Sequence, residues 1–561
     1  MRTIVSFWEH FIRLLPRRPR AAISAVYWHV TGRRVRASNR LHVASIDLPF
    51  AYQMWIKRRE RLVRRRAEFR NAVETWNVRP TFSVMLHADG AYTAEELDRS
   101  LKSLDHQIYP HWGLIEMYDQ TLDQLLDGTH SDYLIPLRIG DALSEAALFR
   151  FAESLQDATP DVLYGDHDHL DERGRRKLPW FKPEWNRELF LAQDYLSPAV
   201  AIRSDVARRT AGRARQNFAT LLLAVTCAGD GEIVHLPHIV CHVGSAPKME
   251  VPIDRLSWLR DHLAPEGAVC EPGPFGTIKI NWPLPEEQPL VSIIIPTKDK
   301  VELLRTCIES VLEKTDYSNY EILIVNNDSK EQPTISYFRE INTHDRIRII
   351  NYSKAYNFSA INNFAASQAN GSYLCLLNND TEVIERAWLT ELMRYAGRRD
   401  VGAVGAKLLY GDGSIQHAGI VIGIGDAAGH VHRFLPDRKP GYFRMPHVAQ
   451  FVSAVTAACL VVEKAKYQSV GGLDEGIAVA FNDVDFCLRL EEAGWRNVYV
   501  PHSVLIHHES RSRGDDKAPV NAERFRRELK LLQSRWDTGA YKDPLLNPNL
   551  DRASETLVFR V

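Results

Sequence analysis

The sequence predicts an α/β fold with two tandem domains, each built on a mainly parallel sheet and preceded by a basic helical segment. Three observations predict it. Short β-branched runs alternate with segments of helical periodicity, the pattern of βαβ units. The same strand–helix–strand order occurs twice. The 561 residues also exceed one ordinary core, since a domain takes roughly 150 residues.

Composition narrows the class. With 45% hydrophobic and 25% charged residues and a net charge of −1, the chain reads as soluble and globular, and no basic excess points to nucleic acid. Its seven cysteines are scattered without a CxxC pair, so neither a disulfide framework nor a zinc knuckle is expected. A reducing cytoplasm fits that usage. No apolar run reaches the roughly 18–20 residues that span a bilayer. Glu9 and His10 interrupt the first apolar stretch, so no signal peptide is expected.

Residues 1–79 form the basic helical segment. "PRRPR" (16–20) and "GRRVR" (32–36) flank apolar stretches, and Ile4, Phe7, Trp8, Phe11 and Leu15 share a helical face. Such a face suits peripheral contact with an anionic membrane, on the inner face of a cell membrane. It equally suits a helix packed on its own domain, and both readings stay open. "KRRERLVRRRAEFR" (57–70) reads as a solvated helix.

The first copy spans 80–245. "RPTFSVMLHADG" (79–90), "AEELDRSLKSL" (94–104) and "YPHWGLIEM" (109–117) give strand, helix, strand. A linker rich in Pro and acidic residues is expected over 246–288. The second copy spans 289–519, with "QPLVSIIIPTKDK" (288–300), "VELLRTCIESVL" (301–312) and "YSNYEILIVNND" (317–328) in the same order. Further on, "SDYLIPLRIGDALSEAALFRF" (131–151) lines up with "GSYLCLLNNDTEVIERAWLTEL" (371–392). This is duplication at domain scale. Residues 520–561 read as a charged helix, "NAERFRRELKLLQSRW", and a tail.

The copies differ where chemistry would sit. After its apolar strand the second has Asn378, Asn379 and Asp380, where the first has Arg138, Ile139 and Gly140. An Arg cannot ligate a hard cation, so the first copy reads as chemically silent. Its "GDHDHLDE" (165–172) is expected to be a polar loop. In the second copy Pro296 ends a buried strand, and Thr297 and Asp299 follow at the edge where open α/β sheets bind ligands. Asn326 and Asn327 end the next strand and could bond a nucleobase or ribose. Asn357 and Asn363 flank a helix start. Asn482 and Asp483 open an acidic helix turn, for which capping is the bland reading. His507 and His508 close a late strand, with Arg511 and Arg513 beyond.

The ordered set "VSIIIPTKD", "ILIVNNDS", "NGSYLCLLNNDTEV", "TAACLVVEKAKYQSVGGLDE", "FNDVDFCLRLEEAGW" and "VYVPHSVLIHHES" resembles the family-two glycosyltransferases of GT-A fold. With the first copy, and its "DVLYGDHDHLDERG" and "FKPEW", the chain resembles tandem-domain enzymes of bacterial surface polysaccharide synthesis, such as O-antigen assembly. The resemblance implies two GT-A-like domains, the first degenerate. It implies a nucleotide-diphosphate sugar donor, a glycan or lipid-linked glycan acceptor, and a divalent metal, Mn²⁺ or Mg²⁺.

By that resemblance "NND" takes the place of the family's DxD motif and Asp380 is the metal carboxylate. Asn378 departs from the motif's first Asp. His507, or His508, is the later metal ligand, and Asp483 is the base. Pro296, Thr297, Asp299, Asn326, Asn327, Asn357, Asn363, Asn378, Asn379, Arg511 and Arg513 line the donor site. Inversion by single displacement is implied. A non-catalytic nucleotide- or carbohydrate-binding scaffold is the alternative, because Asn378 and Asn482 replace family carboxylates. A nucleotidyltransferase would need a Gly-rich phosphate loop, which the first strand lacks.

Overall fold

A computed structural model describes residues 2–31, 37, 40–41, 44–45, 48–60, 62–116, 122–214, 217–229, 231–244, 249–508 and 521–560. The chain divides into two compact units. One comprises Met1–Asn186, Gln193–Asp261 and Leu545–Val561, and the other Arg187–Ala192 and His262–Pro544.

The first unit opens with helices α1 (Arg2–Leu14) and α2 (Pro19–Val30). Phe7, Leu14, Ala22, Ala25 and Leu41 are buried together, with Phe11 and Leu15 packed against them. Most of the apolar face read from the sequence is therefore turned inward. Helices at Pro49–Arg59 and Leu62–Thr75 follow. The second of these, read as solvated, buries Phe69 and Val73 in the sheet's core.

The sheet of this unit comprises β1 (Phe82–His87), β2 (Trp112–Glu116), β3 (Tyr133–Arg138), β4 (Ala142–Leu143), β5 (Val162–Leu170), β6 (Arg176–Trp180), β7 (Val200–Arg203) and β8 (Ile233–Val243), in the order β2-β1-β3-β7-β5-β8-β4 with β6 on β5. The β2-β1-β3 half is parallel, and β7 enters antiparallel on both sides.

β5 carries a correction. The segment "GDHDH", expected as a polar loop, is a buried strand. Asp166 accepts from His235 Nε2 at 2.9 Å and Lys182 N at 2.8 Å. Asp168 accepts from Tyr52 Oη, Arg176 Nε and His242 Nδ1, each at 2.6 Å. Buried charge is tolerated where it is paired and fully hydrogen-bonded. Tyr52, His235 and His242 lie far away in sequence, which is why the strand reads as a loop.

The stretch read as a linker is folded. A helix at Ile253–Leu263 buries Leu256, Leu259 and Leu263, spaced i, i+3, i+7. β9 (Val269–Pro272) and β10 (Ile278–Asn281) then pair antiparallel in the second unit.

The second unit's main sheet starts with β11 (Val291–Thr297), β12 (Tyr320–Asn326), β13 (Ile347–Asn351) and β14 (Tyr373–Leu377), all parallel, in the order β13-β12-β11-β14. Helix α3 (Phe358–Gln368) precedes β14. β11 is buried at every residue, as its unbroken β-branched run requires. Gly371 has no room for a Cβ, which would stand 2.6 Å from Leu290 O and 2.7 Å from Ser292 N, so β14 can enter close against β11.

The later strands are β15 (Thr381–Val383), β16 (Val401–Leu409), β17 (Ile415–His417), β18 (Ile420–Ile422), β19 (Ala428–His430), β20 (Gln450–Val452), β21 (Cys459–Glu463) and β22 (Arg496–His507). The sheet continues β14-β21-β16-β22-β15, with β17 on β16 and β20 on β22, while β18 and β19 form a separate pair. β21 runs antiparallel to β14 and to β16, and β22 runs parallel to β16. Hence the carboxyl ends of β11, β12, β14, β16 and β22 share one edge. Helix α4 (Asn482–Glu492) and helix α5 (Ala522–Trp536) complete the unit. The α/β class and its duplication are as the sequence predicts.

Candidate functional site

The site grows from that shared edge. β14 ends at Leu377, and Asn378 N donates to Ala458 O at 3.0 Å, so the polar triplet turns away from the sheet at once. Thr381 Oγ1 and N both donate to Asn378 O, closing the turn. β15 then pairs antiparallel with the end of β22, Thr381 opposite His507. This register brings Asp380 to the two histidines. Asp380 Oδ1 is 3.1 Å from His507 Nε2, and His508 N donates to Asp380 O at 2.9 Å.

The tautomer of His507 follows from its other nitrogen. Gln416 Nε2 is 3.4 Å from His507 O, which turns Gln416 Oε1 toward His507 Nδ1 at 2.6 Å. An amide oxygen only accepts, so Nδ1 carries the proton and donates. In the neutral ring Nε2 then presents a lone pair to the carboxylate. Asn378 Nδ2 lies 3.3 Å from the same nitrogen and can donate to it. His508 Nε2 is instead 3.1 Å from Glu382 Oε2, on a separate pair.

Two acceptors facing at 3.1 Å suit a cation. Ligands in adjacent positions of an octahedral ion at about 2.1 Å sit about 3 Å apart, and Mg²⁺-type sites draw their remaining ligands from substrate phosphates and water. A carboxylate with an imidazole also suits Mn²⁺. Asp380 and His507 therefore fit a divalent ion that is completed by its ligand. Among the described residues, no three of His, Cys, Asp and Glu converge as a ready-made cage.

Asp483 is tied to the turn that receives the Asn378–Asp380 segment. α4 begins after Phe481, held at φ 65°. Asp483 Oδ2 accepts from Ala457 N at 3.1 Å, and Ala458 O accepts from Asn378 N, so the short turn before β21 joins the two acidic positions. Burial pushes the Asp483 carboxyl up, against the pull of the Ala457, Val484 and Thr456 hydrogen bonds. Asn482 is buried with no partner for Nδ2. Asp485, in the same turn, is fully enclosed. It accepts from Arg489 Nε at 2.9 Å, Arg535 at 2.6 Å and Trp536 Nε1 at 3.0 Å, which docks α5 beneath α4.

The expected donor residues fall into two groups. Thr297 Oγ1 accepts from Asn379 Nδ2 at 3.0 Å, and Thr297 O from Asn327 N at 2.9 Å, so Pro296, Thr297, Asn327 and Asn379 lie along the edge beside Asp380. Asn326 Oδ1 accepts from Ser329 N, and Asp299 Oδ1 from Lys330 N and Glu331 N, stapling the loops after β11 and β12. Asn327 Oδ1 is buried without a partner. Asn357 caps α3 through Ala360 N and donates to Glu475 O. Asn363 is engaged by Tyr467 Oη, Leu473 and Glu475, so both amides hold the loop 473–475. Arg511 and Arg513 lie outside the described residues.

Gln416 was not read from the sequence. Its only signal is a polar pair, Gln416-His417, after Ile415 in a three-residue strand. In the first copy the equivalent turn is closed internally. Arg138 donates to Asp141 from Nε at 3.2 Å and from a terminal nitrogen at 2.7 Å, so a guanidinium neutralises that carboxylate.

Residues 292–455 match the family model for Glycosyl transferase family 2. Among curated relatives, "Uncharacterized protein y4gI" of Sinorhizobium fredii is 38% identical over 453 residues, 77% of this chain and 50% of that protein. "O-antigen biosynthesis protein RfbC" of Myxococcus xanthus is 35% identical over 439 residues, 75% of this chain and 34% of that one. An "N-acetylglucosaminyl-diphospho-decaprenol L-rhamnosyltransferase" of Mycobacterium tuberculosis is 35% identical over 94 residues, 17% of this chain and 30% of that one. The chain thus spans half or less of the length of these relatives. Among solved structures, GalNAc-T7 with UDP, GalNAc and Mn²⁺ aligns with TM-score 0.34 at 15% identity, over 40% of this chain and 44% of that one.

Proposed function

We propose that this chain, which belongs to glycosyltransferase family 2 through residues 292–455, transfers a sugar from a nucleotide-diphosphate sugar with inversion. The acceptor is a glycan or lipid-linked glycan of bacterial surface polysaccharide synthesis, in the O-antigen manner, at the cytoplasmic face of the membrane. One observation carries the reading. Asp380 Oδ1 and the lone pair of His507 face each other at 3.1 Å on the sheet edge, and Asp483 is bonded to Ala457 in the turn whose Ala458 holds Asn378.

Mn²⁺ or Mg²⁺ held by Asp380 and His507 would supply Lewis acidity toward the leaving diphosphate. Gln416 keeps the His507 lone pair aimed at that position. Asn378 and Asn379 fix the turn that presents Asp380. Pro296, Thr297, Asn326 and Asn327 border the nucleotide, and Arg511 and Arg513 add positive charge to the diphosphate. Asp483 accepts the proton of the acceptor hydroxyl as that oxygen bonds to the anomeric carbon and the carbon–phosphate oxygen bond breaks. Its raised pKa makes it a stronger base than an exposed Asp. Attack opposite the leaving group inverts the centre in one displacement.

The test is calorimetric titration of UDP-, GDP- and dTDP-sugars with Mn²⁺ into wild-type chain and Asp380→Ala. Cation-dependent binding to the first and not the second supports the reading, and equal binding to both sinks it. A binding scaffold is the second reading, favoured by Asn378 and by the unpartnered amide of Asn482. Release of free sugar from the donor, without acceptor, separates it from an enzyme.

Membrane contact by the basic segment belongs to the same proposal, on a face that keeps only Trp8 of the one read from the sequence. Trp8 and Ile12 on α1, and Ile23, Tyr27 and Val30 on α2, are exposed, with Arg20 on the second stripe. Phe7 stacks on His29 at 4.2 Å and the chain turns at 15–18, so the helices run antiparallel. On each helix the exposed stripe sits about a third of a turn from the buried one, in the same sense. Both stripes therefore look to one side. Nine Arg and one acidic residue among 1–40 give the segment the charge an anionic leaflet attracts.

A further inference from the structure

We infer that the outer face of the Phe434 ring is the platform on which the acceptor sugar lies. This rests on the sugar-transfer reading of the neighbouring site. Phe434 is 64% exposed, more than any other large apolar side chain described in the second unit. Its ring does not hang loose. Tyr410 lies parallel to it, with centroids 5.3 Å apart and planes 5° from coplanar. Arg433 Nε donates to Tyr410 Oη at 2.6 Å, and its guanidinium carbon is 5.0 Å from the Phe434 centroid and 5.7 Å from that of Tyr410. Tyr410 thus stacks on Phe434, Arg433 braces the pair, and most of the Phe434 side chain meets solvent.

The backbone holds the ring there at a cost. His432 and Phe434 have φ of 62° and 65°, a left-handed region that bulky residues seldom adopt. Such geometry collects at ligand clamps. Phe434 N donates to Ile415 O at 2.8 Å, and Ile415 N to Leu435 O at 2.8 Å, so the ring is tied to the strand that carries Gln416.

Position along the sheet edge selects the ligand. Tyr410 directly follows β16, whose Leu409 pairs with Ile506, the residue before His507. β16 lies two strands beyond β14, about 10 Å at the usual strand spacing. β11 and β12, with the amides proposed for the nucleotide, lie on the other side of β14. A flat ring at the end of β16, between the strand that leads into Asp380 and the strand that ends at His507, and on the side of β14 away from the nucleotide amides, faces the space an acceptor must enter. A pyranose carries a patch of polarised C–H bonds on one face, which the negative face of an aromatic ring attracts.

The test is saturation-transfer-difference NMR on the full chain. The probes are methyl α-L-rhamnoside, methyl β-D-glucoside and the methyl β-glycoside of N-acetylglucosamine. Wild type is compared with Phe434→Asn, which tolerates positive φ, and Phe434→Trp. The expected result is saturation of ring C–H protons for at least one glycoside, about tenfold weaker binding with Asn, and binding kept with Trp. No saturation in wild type, or equal saturation with Asn, overturns the inference. UDP titration with Mn²⁺ on the same samples separates the two levels. Intact UDP binding without glycoside binding removes only the platform, and glycoside binding without UDP binding removes the transfer reading instead.

Discussion

His507 Nε2 stands 3.1 Å from Asp380 Oδ1 while the other nitrogen of the ring donates to Gln416 Oε1 at 2.6 Å. The imidazole is therefore pointed lone pair first at a buried carboxylate, an arrangement that a cation or an added proton relieves. Gln416 sets that orientation without touching the cation position.

Gln416→Leu is expected to keep the fold and lower affinity for Mn²⁺ by about 10–100-fold, the usual effect of losing a partner behind a ligating His. Binding of Mn²⁺ followed by electron paramagnetic resonance on the purified chain checks it, with no need for turnover. Gln416→Glu, which still accepts from Nδ1, should restore most of the affinity. Unchanged Mn²⁺ binding in the Leu variant would show that Gln416 has only a packing role.

Asp483→Asn is expected to abolish transfer, by about 10²–10⁴-fold in kcat, and to leave donor binding nearly intact. The pH profile gives an independent readout. Burial raises the Asp483 pKa, so the base form is lost at a higher pH than for an exposed Asp as the solution is acidified. The acid limb of kcat/KM should therefore lie above the ordinary Asp range. An acid limb at the usual position of Asp, or equal loss of donor binding in the Asn variant, would make Asp483 a structural carboxylate.

Much of this site is legible in the sequence because strand and polar tail are adjacent. "CLLNNDTE" shows a buried strand followed by its functional turn, and "VLIHHES" does the same at the other end of the site. What cannot be read is pairing over distance. Nothing near Asp168 announces Tyr52 or His242, so a buried strand reads as a loop. Asn363 looks like any other edge amide until Tyr467 and Leu473 are seen to engage it. In α1 the period was legible, but a period shared by two apolar faces does not say which one the domain covers. Trp8 stayed out while Phe7 went in.

Asp485 is a stability prediction distinct from catalysis. Its carboxylate is fully buried and accepts from Arg489, Arg535 and Trp536. Asp485→Ala leaves Arg489 without that bond and releases α5, and breaking a buried pair from one side costs about 3–5 kcal/mol. Chemical denaturation should show the loss in the transition of the second unit, and limited proteolysis should cut near α5 first. A change under about 1 kcal/mol would mean that the network is relaxed by water.

The exposed stripes of α1 and α2 make the last prediction. Vesicles of phosphatidylglycerol and phosphatidylcholine should sediment the wild-type chain, and vesicles of phosphatidylcholine alone should not, because the nine Arg of residues 1–40 supply the attraction. High salt should weaken the first result, as screening shortens the reach of those charges. The combined change Ile12→Ser, Ile23→Ser and Val30→Ser should release the protein without lowering its melting temperature, since all three side chains already face water. If the triple variant instead shifts a dimer to monomer in light scattering and leaves sedimentation unchanged, the stripes are a protein–protein seam and the membrane assignment fails. If charge alone held the chain to the vesicle, the Ser variant would bind as wild type does, which equally removes the apolar part of the proposal.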